Sequence, residues 1–282
     1  MIGDLPAELL DGLGVTAVRP VSGGDIAQAF RLDTPSGPLF AKTHPDPMPG
    51  LFAREAAGLR ALGAAGAVAV PEVVRERASG LVLQWIDVGA RTAASEADLG
   101  VRLAALHRVV GPHFGGLDDS PSGYLGSQPV DLTPTDDWAE FFVARRLRPL
   151  TRRAVELGQL DPGAATLVDR LAPRAAERCG PPEPPALLHG DLWAGNRLVD
   201  TAGANWLIDP ATYWGHREVD LAMMQLFGGF GEAVYAAYDE SFPLAEGWRD
   251  RVGWYQLPPL LVHAILFGGS YGRAAMAELV RS

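Results

Sequence analysis

Residues 187–196, with the sequence LLHGDLWAGN, decide the fold prediction together with a short apolar run, WLI, that ends at Asp209. Phosphoryl transfer from ATP needs a carboxylate that accepts the proton of the attacking hydroxyl, and oxygen ligands that hold Mg²⁺ on the phosphates. Asp191 and Asn196 have the D-x-x-x-x-N spacing of a kinase catalytic loop. The pattern therefore predicts that Asp191 is the catalytic base and that Asn196 and Asp209 are metal ligands.

The same stretch also has a purely structural interpretation. Residues 197–200 and 206–209 are strand-like, and the short segment between them, TAGA, can turn the chain into a hairpin. The polar residues would then only cap the ends of the hairpin. A kinase-like fold needs such a hairpin beside its catalytic loop, so the two interpretations are compatible, and the full pattern favours chemistry.

The segment that follows the catalytic motif carries a family resemblance. HGDLWAGN, followed by IDPATYWGHREVDLAMMQLFGGF at residues 208–230, resembles the fructosamine kinase (ketosamine-3-kinase) family. That family is part of a larger group with aminoglycoside phosphotransferases and choline kinases, from which the GHREVDLAM segment separates it. The resemblance extends from residue 21 to about residue 271.

The resemblance implies an α+β, protein-kinase-like fold with two lobes. Residues 1–86 would form a small β-rich, ATP-binding lobe with one helix, and residues 87–282 a larger, mostly helical lobe with the catalytic and substrate sites. Apolar, strand-like runs support the first lobe at residues 15–21, 29–33, 39–42, 68–74 and 80–86.

Composition limits the possible partners. The 282 residues carry a net charge of −10, which repels nucleic acid phosphates. A single cysteine, Cys179, rules out an internal disulfide and fits a reducing compartment. Neither a signal peptide nor an apolar run of membrane-spanning length is present in the sequence. We therefore expect a cytoplasmic, monomeric protein that binds neither nucleic acid nor membranes.

Lys42 is the one lysine among 24 lysines and arginines. It ends a strand-like run, LFAK, much as lysine ends V-A-I-K in protein kinases, where it reaches the ATP phosphates. A helix is predicted at residues 49–62, and Glu55 falls on its apolar stripe. A buried carboxylate needs a cation, so we predict a Lys42–Glu55 ion pair. The alternative is a solvated Glu55 at the edge of the stripe.

Two further segments are candidates for nucleotide binding. Gly23 and Gly24, in the sequence SGGDIAQ, can bring backbone N–H groups close to phosphate, although a simple hairpin turn would use the same residues. This segment is similar to the SGGDIN stretch of the family, whose asparagine is replaced here by Ala27. By the resemblance, Gln84, Trp85 and Ile86 form the hinge that holds the adenine edge, while Trp85 could equally be a packing residue.

The second lobe contributes further candidates for support of the catalytic site and for substrate contact. Asp220 is expected to hold the backbone of the catalytic loop, as the resemblance implies. His189, Trp193 and His216 are assigned either to support of the site or to substrate contact, and His216 could instead belong to a loop network that caps a helix.

The remaining expectations for this lobe are structural. Ser95 is predicted to cap a helix, His107 to be a packed or hydrogen-bonded residue, and Pro149 to kink or break the helix of residues 138–148. The arginines at 145–153 are expected on a solvated face. Residues 111–134 are expected to form a long irregular loop that borders the substrate.

Taken together, these patterns predict an ATP- and Mg²⁺-dependent kinase. By the resemblance it phosphorylates the 3-hydroxyl of a ketosamine, such as a fructosamine or ribulosamine, in deglycation. Whether that ketosamine is a small molecule or protein-bound stays open. Two alternatives are another small-molecule kinase of the same group and a non-catalytic nucleotide-binding module.

Overall fold

The computed structural model describes residues 5–21, 27–118 and 120–282. Gly23 and Gly24 lie outside the described residues. The first part of the described chain forms an antiparallel sheet of five strands in the order β1-β2-β3-β5-β4. These strands are β1 (Ala17–Val21), β2 (Gln28–Thr34), β3 (Gly37–Thr43), β4 (Val73–Arg77) and β5 (Gly80–Gln84). A short helix, α1 (Ala7–Leu10), precedes them, and α2 (Leu51–Ala65) connects β3 to β4.

The central strand of this sheet carries Lys42. On β3, Lys42 pairs with Ala29 of β2 on one side and with Leu81 of β5 on the other. Helix α2 covers the sheet, because its buried residues Phe52 and Leu59 join Leu81 in one apolar cluster. The apolar stripe predicted for this helix therefore packs on the strands, and Lys42 is fixed by a ladder on both sides.

The fourth strand is shorter than predicted. We expected a strand over residues 68–74, but β4 begins only at Val73. Ala69 instead forms a parallel bridge to Trp206, and its carbonyl accepts a hydrogen bond from the N–H of Leu207 at 2.9 Å. Pro71 has no N–H to give to a ladder, so the chain joins the sheet only after it.

The second part of the chain is mainly helical. Its helices are α3 (Ala93–His107), α4 (Trp138–Phe141), α5 (Arg148–Glu156), α6 (Gly163–Leu171), α7 (Ala175–Cys179), α8 (Glu218–Leu226), α9 (Glu232–Ser241), α10 (Trp248–Phe267) and α11 (Ser270–Arg281). A π-helical segment, Phe142–Leu147, joins α4 to α5. In the described part of the chain, no helix has both the length and the hydropathy needed to cross a membrane.

Three small two-stranded antiparallel sheets lie among these helices. They are formed by β6 (Ser122–Leu125) with β7 (Gln128–Asp131), β8 (Ala186–Leu188) with β11 (Tyr213–Gly215), and β9 (Arg197–Val199) with β10 (Asn205–Leu207). The catalytic motif connects β8 to β9, and the hairpin predicted after Asn196 is present. The prediction of an irregular loop at residues 111–134 is wrong where β6 and β7 pair.

Helix α3 begins earlier than predicted. Thr92 is its N-cap, and Ser95 is the third helical residue, so Ser95 is not the cap that we predicted. The two residues hydrogen-bond reciprocally, with the N–H of Ser95 donating to Thr92 Oγ1 at 3.1 Å and the N–H of Thr92 donating to Ser95 Oγ at 2.9 Å. This is a capping box in which serine takes the usual place of glutamate.

Pro149 does not end the helical path. The π-helical segment precedes it, and Pro149 stands in the first turn of α5, where a missing N–H costs little. The expected solvated arginine face is present for Arg148, Arg152 and Arg153, which are exposed. The expectation of a solvated side chain is wrong for Arg146, which lies in the core with only 2% of its surface exposed.

Candidate active site

A lysine, a glutamate and an aspartate from three distant parts of the chain meet in the cleft beside the sheet. Lys42 Nζ lies 2.6 Å from Glu55 Oε2 and 2.9 Å from Asp209 Oδ1. The predicted Lys42–Glu55 pair is therefore present, and the lysine also reaches the predicted metal ligand. Burial alone would lower the pKa of Lys42, but Asp209 and Glu55 together raise it above its ordinary value. Lys42 therefore remains a cation.

Asp209 has an unusual backbone conformation. Its φ is +52°, and within residues 5–21, 27–118 and 120–282 it is the sole non-glycine residue in the left-handed region. Such a residue costs of the order of 1–3 kcal/mol and persists only where its surroundings fix it. Two backbone hydrogen bonds fix the conformation around Asp209. The N–H of Ile208 donates to the carbonyl of Asn196 at 3.0 Å, and the N–H of Ala211 donates to the carbonyl of His189 at 2.9 Å.

The side chain of Asn196 ties the catalytic motif to Asp209. Its Nδ2 donates to the carbonyl of Asp191 at 2.9 Å, to Asp191 Oδ2 at 3.3 Å and to the carbonyl of Asp209 at 3.5 Å. With Nδ2 directed at the loop, Oδ1 is the atom of Asn196 available to a cation. The three residues predicted for base and metal binding thus converge on one place.

Gly190 permits the sharp turn that presents Asp191. Its φ is +85°, and a Cβ at this position would lie 2.2 Å from the carbonyl oxygen of Ala211. Any side chain here would push the loop away from the segment that follows Asp209. The glycine of the HGD motif is therefore required by the approach of two backbones.

Asp191 is a carboxylate that is poorly stabilised as an anion. Burial, and then repulsion from Asp209, raise its pKa to about 7, while the Asn196 amide acts in the opposite direction. Near neutral pH the group exists in both protonation states. A pKa close to the working pH is what a general base requires.

Asp220, the third residue of the apolar helix α8, anchors the catalytic loop. Its Oδ2 accepts from the N–H of His189 at 2.7 Å, and its Oδ1 accepts from the N–H of Gly190 at 2.9 Å. His107 Nε2 lies 3.2 Å from Oδ2, and His107 Nδ1 lies 2.8 Å from the hydroxyl of Tyr238. The structure gives Asp220 the contacts expected of a residue that holds this loop, and His107 is the hydrogen-bonded core residue that was expected.

His189 supports the loop from inside. It is fully buried, its Nε2 donates to the carbonyl of Ile208 at 2.9 Å, and its Nδ1 lies 3.3 Å from the N–H of Asp191. Burial lowers its pKa, so the ring is neutral. These contacts place His189 behind the reacting groups and connect the loop before Asp191 to the strand end before Asp209.

His216 lies away from the cleft. It is 2% exposed, it stacks on Tyr255 with ring centroids 5.3 Å apart, and burial lowers its pKa to about 4. Its neighbour Arg217 pairs with Glu183 at 2.7 Å. Of the two roles considered for His216, the structure provides the loop network.

Two arginines that hold the catalytic segment were missed by the sequence analysis. Arg91 Nη2 donates to the carbonyls of Ala194 and Arg197 at 2.7 and 2.9 Å, on either side of Asn196. The fully buried Arg197 donates to Asn205 Oδ1 at 2.9 Å and to Glu96 Oε1 at 2.5 Å. Their partners are up to about a hundred residues away in sequence, so no local spacing could have found them.

The Lys42 cluster and the residues of the catalytic motif line an open cleft of about 790 Å³. Lys42, Glu55, Asp191, Asn196 and Asp209 form its polar part. Its other walls include Trp193, which is 40% exposed, and residues 124–126 of the β6–β7 hairpin. The expectation that residues 111–134 border the acceptor space fits this hairpin.

The predicted hinge residues are not part of that lining. Gln84 N–H donates to the carbonyl of Glu72 at 2.9 Å. The indole of Trp85 donates to Asp87 Oδ1 at 2.9 Å and lies under the guanidinium of Arg31, 4.9 Å from the ring centroid. The Trp85 side chain is therefore engaged in packing, and adenine contacts through Gln84, Trp85 and Ile86 stay a prediction.

The donor set fits Mg²⁺ only together with a nucleotide. Asn196 and Asp209 offer an amide oxygen and a carboxylate, which are ligands that Mg²⁺ prefers. The described residues contain no group of three or more His, Cys, Asp or Glu that could hold a metal by themselves. Phosphate oxygens and water would have to complete the shell, as in other phosphoryl-transfer sites.

The fold and the site together define a class. A five-stranded antiparallel sheet with one covering helix, a helical lobe and a catalytic loop facing a lysine make this a protein-kinase-like phosphotransferase fold. An aminoglycoside phosphotransferase crystallised with ADP and hygromycin B has the same fold, with a TM-score of 0.65 at 15% identity over 97% of each chain.

The family follows from closer similarities. The family model for fructosamine kinase matches residues 5–281. A protein named a probable ketoamine kinase from Enterococcus faecium is 38% identical over 90% of this chain and 91% of its own. A chloroplastic protein-ribulosamine 3-kinase from Arabidopsis thaliana is 33% identical over 93% of this chain and 81% of its own.

A solved structure agrees with these relatives. A protein from Thermobifida fusca assigned as a fructosamine-3-kinase superimposes with a TM-score of 0.91 at 38% identity, with both chains fully covered. The chain therefore belongs to the fructosamine kinase family of ATP-dependent phosphotransferases. The predicted fold class and family are confirmed.

Proposed function

We propose that this protein transfers the γ-phosphoryl group of ATP to the 3-hydroxyl of a ketosamine, such as a ribulosamine or fructosamine. The observation that carries the proposal is the meeting of Lys42 with Asp209 at 2.9 Å, on the same cleft wall as Asp191 and Asn196. A base, two oxygen ligands and a phosphate-binding cation are the parts that phosphoryl transfer needs.

Each residue has a distinct role in this proposal. Lys42 binds the α- and β-phosphates, and Glu55 fixes the position of its ammonium group. Asn196 Oδ1 and the Asp209 carboxylate hold Mg²⁺, which neutralises the phosphate charge when it is bound. Gly23, Gly24 and the hinge at Gln84, Trp85 and Ile86 bind the remainder of the nucleotide.

Asp191 receives the proton of the acceptor hydroxyl. It also orients that hydroxyl toward the γ-phosphorus, and most of the rate enhancement comes from this positioning and from charge neutralisation. Trp193 and the β6–β7 hairpin line the space beside Asp191 in which the acceptor would lie. Asp220 and His189 keep the loop that carries Asp191 in place.

The choice of acceptor rests on the relatives. Their names specify ketoamines and ribulosamines, and they cover most of this chain. The similarity to aminoglycoside phosphotransferases is at the level of the fold alone, so it supports no particular acceptor. We further propose a monomer with residues 1–86 as the nucleotide lobe, which acts in the cytoplasm on small or protein-bound ketosamines.

A substrate panel tests the proposal. ADP release would be measured with ribulosamine and fructosamine derivatives of lysine, an aminoglycoside and choline, in the presence of Mg·ATP. We expect turnover with the ketosamines, and Asp191→Asn should abolish it while ATP binding is retained. Preferential turnover of choline or the aminoglycoside would overturn the proposed acceptor. Wild-type turnover by Asp191→Asn would reject Asp191 as the base.

A further inference from the structure

The cleft continues beyond the catalytic loop into an apolar chamber that the proposed chemistry does not require. Its walls include Leu132 after β7, Phe142 of the π-helical segment, Val219 of α8 and Val262 of α10. Arg146 lines the same cleft, as does Arg54, which is paired with Asp118. An apolar wall beside a cation that lacks an ion-pair partner is suited to an organic group that ends in an anion.

Arg146 is held on one side only. Its guanidinium lies over the rings of Phe141 and Tyr213, 4.7 and 4.9 Å from their centroids. Nη1 donates to the backbone carbonyls of Asp131 at 2.8 Å and Arg145 at 3.0 Å. Within the described part of the chain, Nε and Nη2 have no hydrogen-bond partner.

The carboxylate of Asp131 attracts the charge of Arg146 from beyond ion-pair distance. The side chain of Asp131 pairs with Arg145 at 3.1 Å, and among the described residues no carboxylate oxygen lies within 4.0 Å of Arg146. Burial lowers the pKa of Arg146, but a guanidinium cannot lose its proton in a protein. A buried cation without an ion-pair partner costs free energy in the folded state. A carboxylate that binds Nε and Nη2 together would remove most of that cost.

The position of Arg146 relates it to the acceptor. Tyr213 is a neighbour of both the catalytic loop and the guanidinium. A Cβ on Gly190 would be 3.4 Å from Tyr213 Cδ1, and the Arg146 guanidinium lies 4.9 Å from the centroid of the same ring. A small molecule with its hydroxyl at Asp191 can extend a second group to Arg146.

We propose that Arg146 binds a carboxylate on the amine-derived part of the acceptor, so that ketosamines of free amino acids are preferred over uncharged ones. This inference rests on the proposed function. Nε and Nη2 are shielded from solvent, so the proposal requires the guanidinium to turn toward the cleft when a carboxylate binds. Arg146 thereby selects the acceptor by charge, whereas Asp191 acts on its hydroxyl.

Matched pairs of substrates test this role. The ribulosamines of glycine and ε-aminocaproate would be compared with those of glycinamide and ε-aminocaproamide, which differ only in replacing the carboxylate by a carboxamide. Hydrogen bonds between charged groups predict that at least one carboxylate has a kcat/KM about tenfold to a hundredfold higher than its amide. The difference should lie mainly in KM.

Two variants show whether Arg146 causes the preference. Arg146→Met should bring the ratio of carboxylate to amide close to one. Arg145→Met is the matched control, because Arg145 is the adjacent cation, is paired with Asp131 and does not line the cleft. It should keep the wild-type ratio.

The outcomes separate this inference from the proposed function. Equal kcat/KM values for carboxylate and amide in the wild-type protein would overturn the role of Arg146 and leave ketosamine phosphorylation intact. An unchanged ratio in Arg146→Met would also overturn it, as would a loss of kcat that is equal for all four substrates, since that indicates support of the loop through Tyr213. Absence of turnover with every ketosamine would reject both proposals.

Discussion

Asp191 combines a chemical task with a cost to the fold. A buried carboxylate whose pKa is about 7 is more easily protonated in the folded chain than in the unfolded chain, where aspartate titrates near 3.8. Its contribution to stability is thus fully present below about pH 4 and is lost as the pH rises to about 7. By linkage this loss is at most about 4 kcal/mol.

The first prediction concerns the stability of Asp191→Asn. The variant cannot ionise at this position, so above pH 7 it should unfold at a higher temperature than the wild-type protein, and the gap should shrink toward pH 4. Thermal unfolding without nucleotide or metal, measured across this range, checks the trend. A gap that grows toward low pH would contradict the assigned pKa.

The second prediction concerns the pH dependence of activity. If Asp191 accepts the proton of the acceptor, kcat/KM for the acceptor should fall about tenfold for each pH unit below the pKa of Asp191. That pKa is at or below about 7 in the loaded site, because Mg²⁺ on Asp209 would offset the repulsion that raises it. Nucleotide binding, measured separately, should not follow this profile. A flat kcat/KM down to pH 5.5 would argue against Asp191 as the base.

Lys42 shows why a single lysine survives in an arginine-rich chain. Its ammonium group fits between Glu55 at 2.6 Å and Asp209 at 2.9 Å, with 11% of the side chain exposed. Lysine is a compact point charge, whereas arginine is a wide planar fork that this space cannot hold without moving one carboxylate.

The third prediction is therefore that Lys42→Arg keeps the charge and loses the activity. We expect kcat/KM for ATP to fall at least about a hundredfold, a loss of roughly 2.7 kcal/mol in transition-state stabilisation. Initial rates of ADP release at varied ATP provide the measurement. Arg60→Lys, at an exposed position of α2, is the control and should keep wild-type rates. Near-normal rates in Lys42→Arg would show that the shape of the cation is unimportant.

At this scale the sequence was informative where chemistry imposes a spacing. The sequence singled out Asp191 and Asn196 by the spacing of a kinase catalytic loop and Asp209 by the apolar run that precedes it, and the structure places all three in one cleft. Arg91, Arg146 and Arg197 were not found, because each depends on partners or cleft walls that only the folded chain brings together. Arg146 in particular was predicted to be solvated, since a run of arginines normally is.

The backbone of the catalytic loop is held from the protein interior by Asp220. Asp220 accepts two backbone N–H groups of this loop and is fully buried. Burial would raise the pKa of Asp220, but the hydrogen bonds from His107 and from the N–H of Gly190 help to outweigh this and lower it. The carboxylate therefore stays ionised, and helix α8 and the loop behave as one unit.

The fourth prediction is that Asp220→Asn destabilises the protein by about 3 kcal/mol or more. The amide removes a buried charge, and if its NH₂ group faces the two loop N–H donors it leaves one of them unsatisfied. Chemical denaturation gives the free energy of unfolding. Asp169→Asn, at an exposed pair with Arg148, is the matched control and should change stability by less than about 1 kcal/mol. Equal effects of the two substitutions would contradict the anchoring role.

The elements themselves were predictable to different degrees. The strands around Lys42 and the helix that carries Glu55 follow from apolar periodicity. The start of α3, the β6–β7 hairpin and the helical path through Pro149 did not follow from it. In each of these cases a reciprocal cap, a strand pairing or a π-helical segment altered a boundary that local propensity suggests.

Contacts across the cleft join the helical part of the chain to α2 and the segment before it. Arg54 of α2 contacts both oxygens of Asp118 at 2.8 and 3.0 Å, and the hydroxyl of Tyr124 donates to the carbonyl of Pro49 at 2.7 Å. The β6–β7 hairpin thus connects the helical part of the chain to the helix that carries Glu55.

The fifth prediction concerns the strength of that connection. The Arg54–Asp118 pair is exposed, so a double-mutant cycle with Arg54→Gln and Asp118→Asn should give a coupling free energy of only about 0.2–1 kcal/mol, and less in high salt. Urea unfolding of the four proteins provides the values. A coupling free energy above about 2 kcal/mol would mean that this ion pair stabilises the protein much more than an exposed pair normally does.

The direct contact between Lys42 and Asp209 has a consequence for the order of events during turnover. Asp209 already has an internal countercation, so a divalent ion arriving alone must compete with a tethered ammonium group for the same oxygen. Nucleotide phosphates would offer Lys42 a replacement anion and free the Asp209 oxygen. If Asp209 holds Mg²⁺ as proposed, the nucleotide would thus initiate an exchange of counterions at this carboxylate.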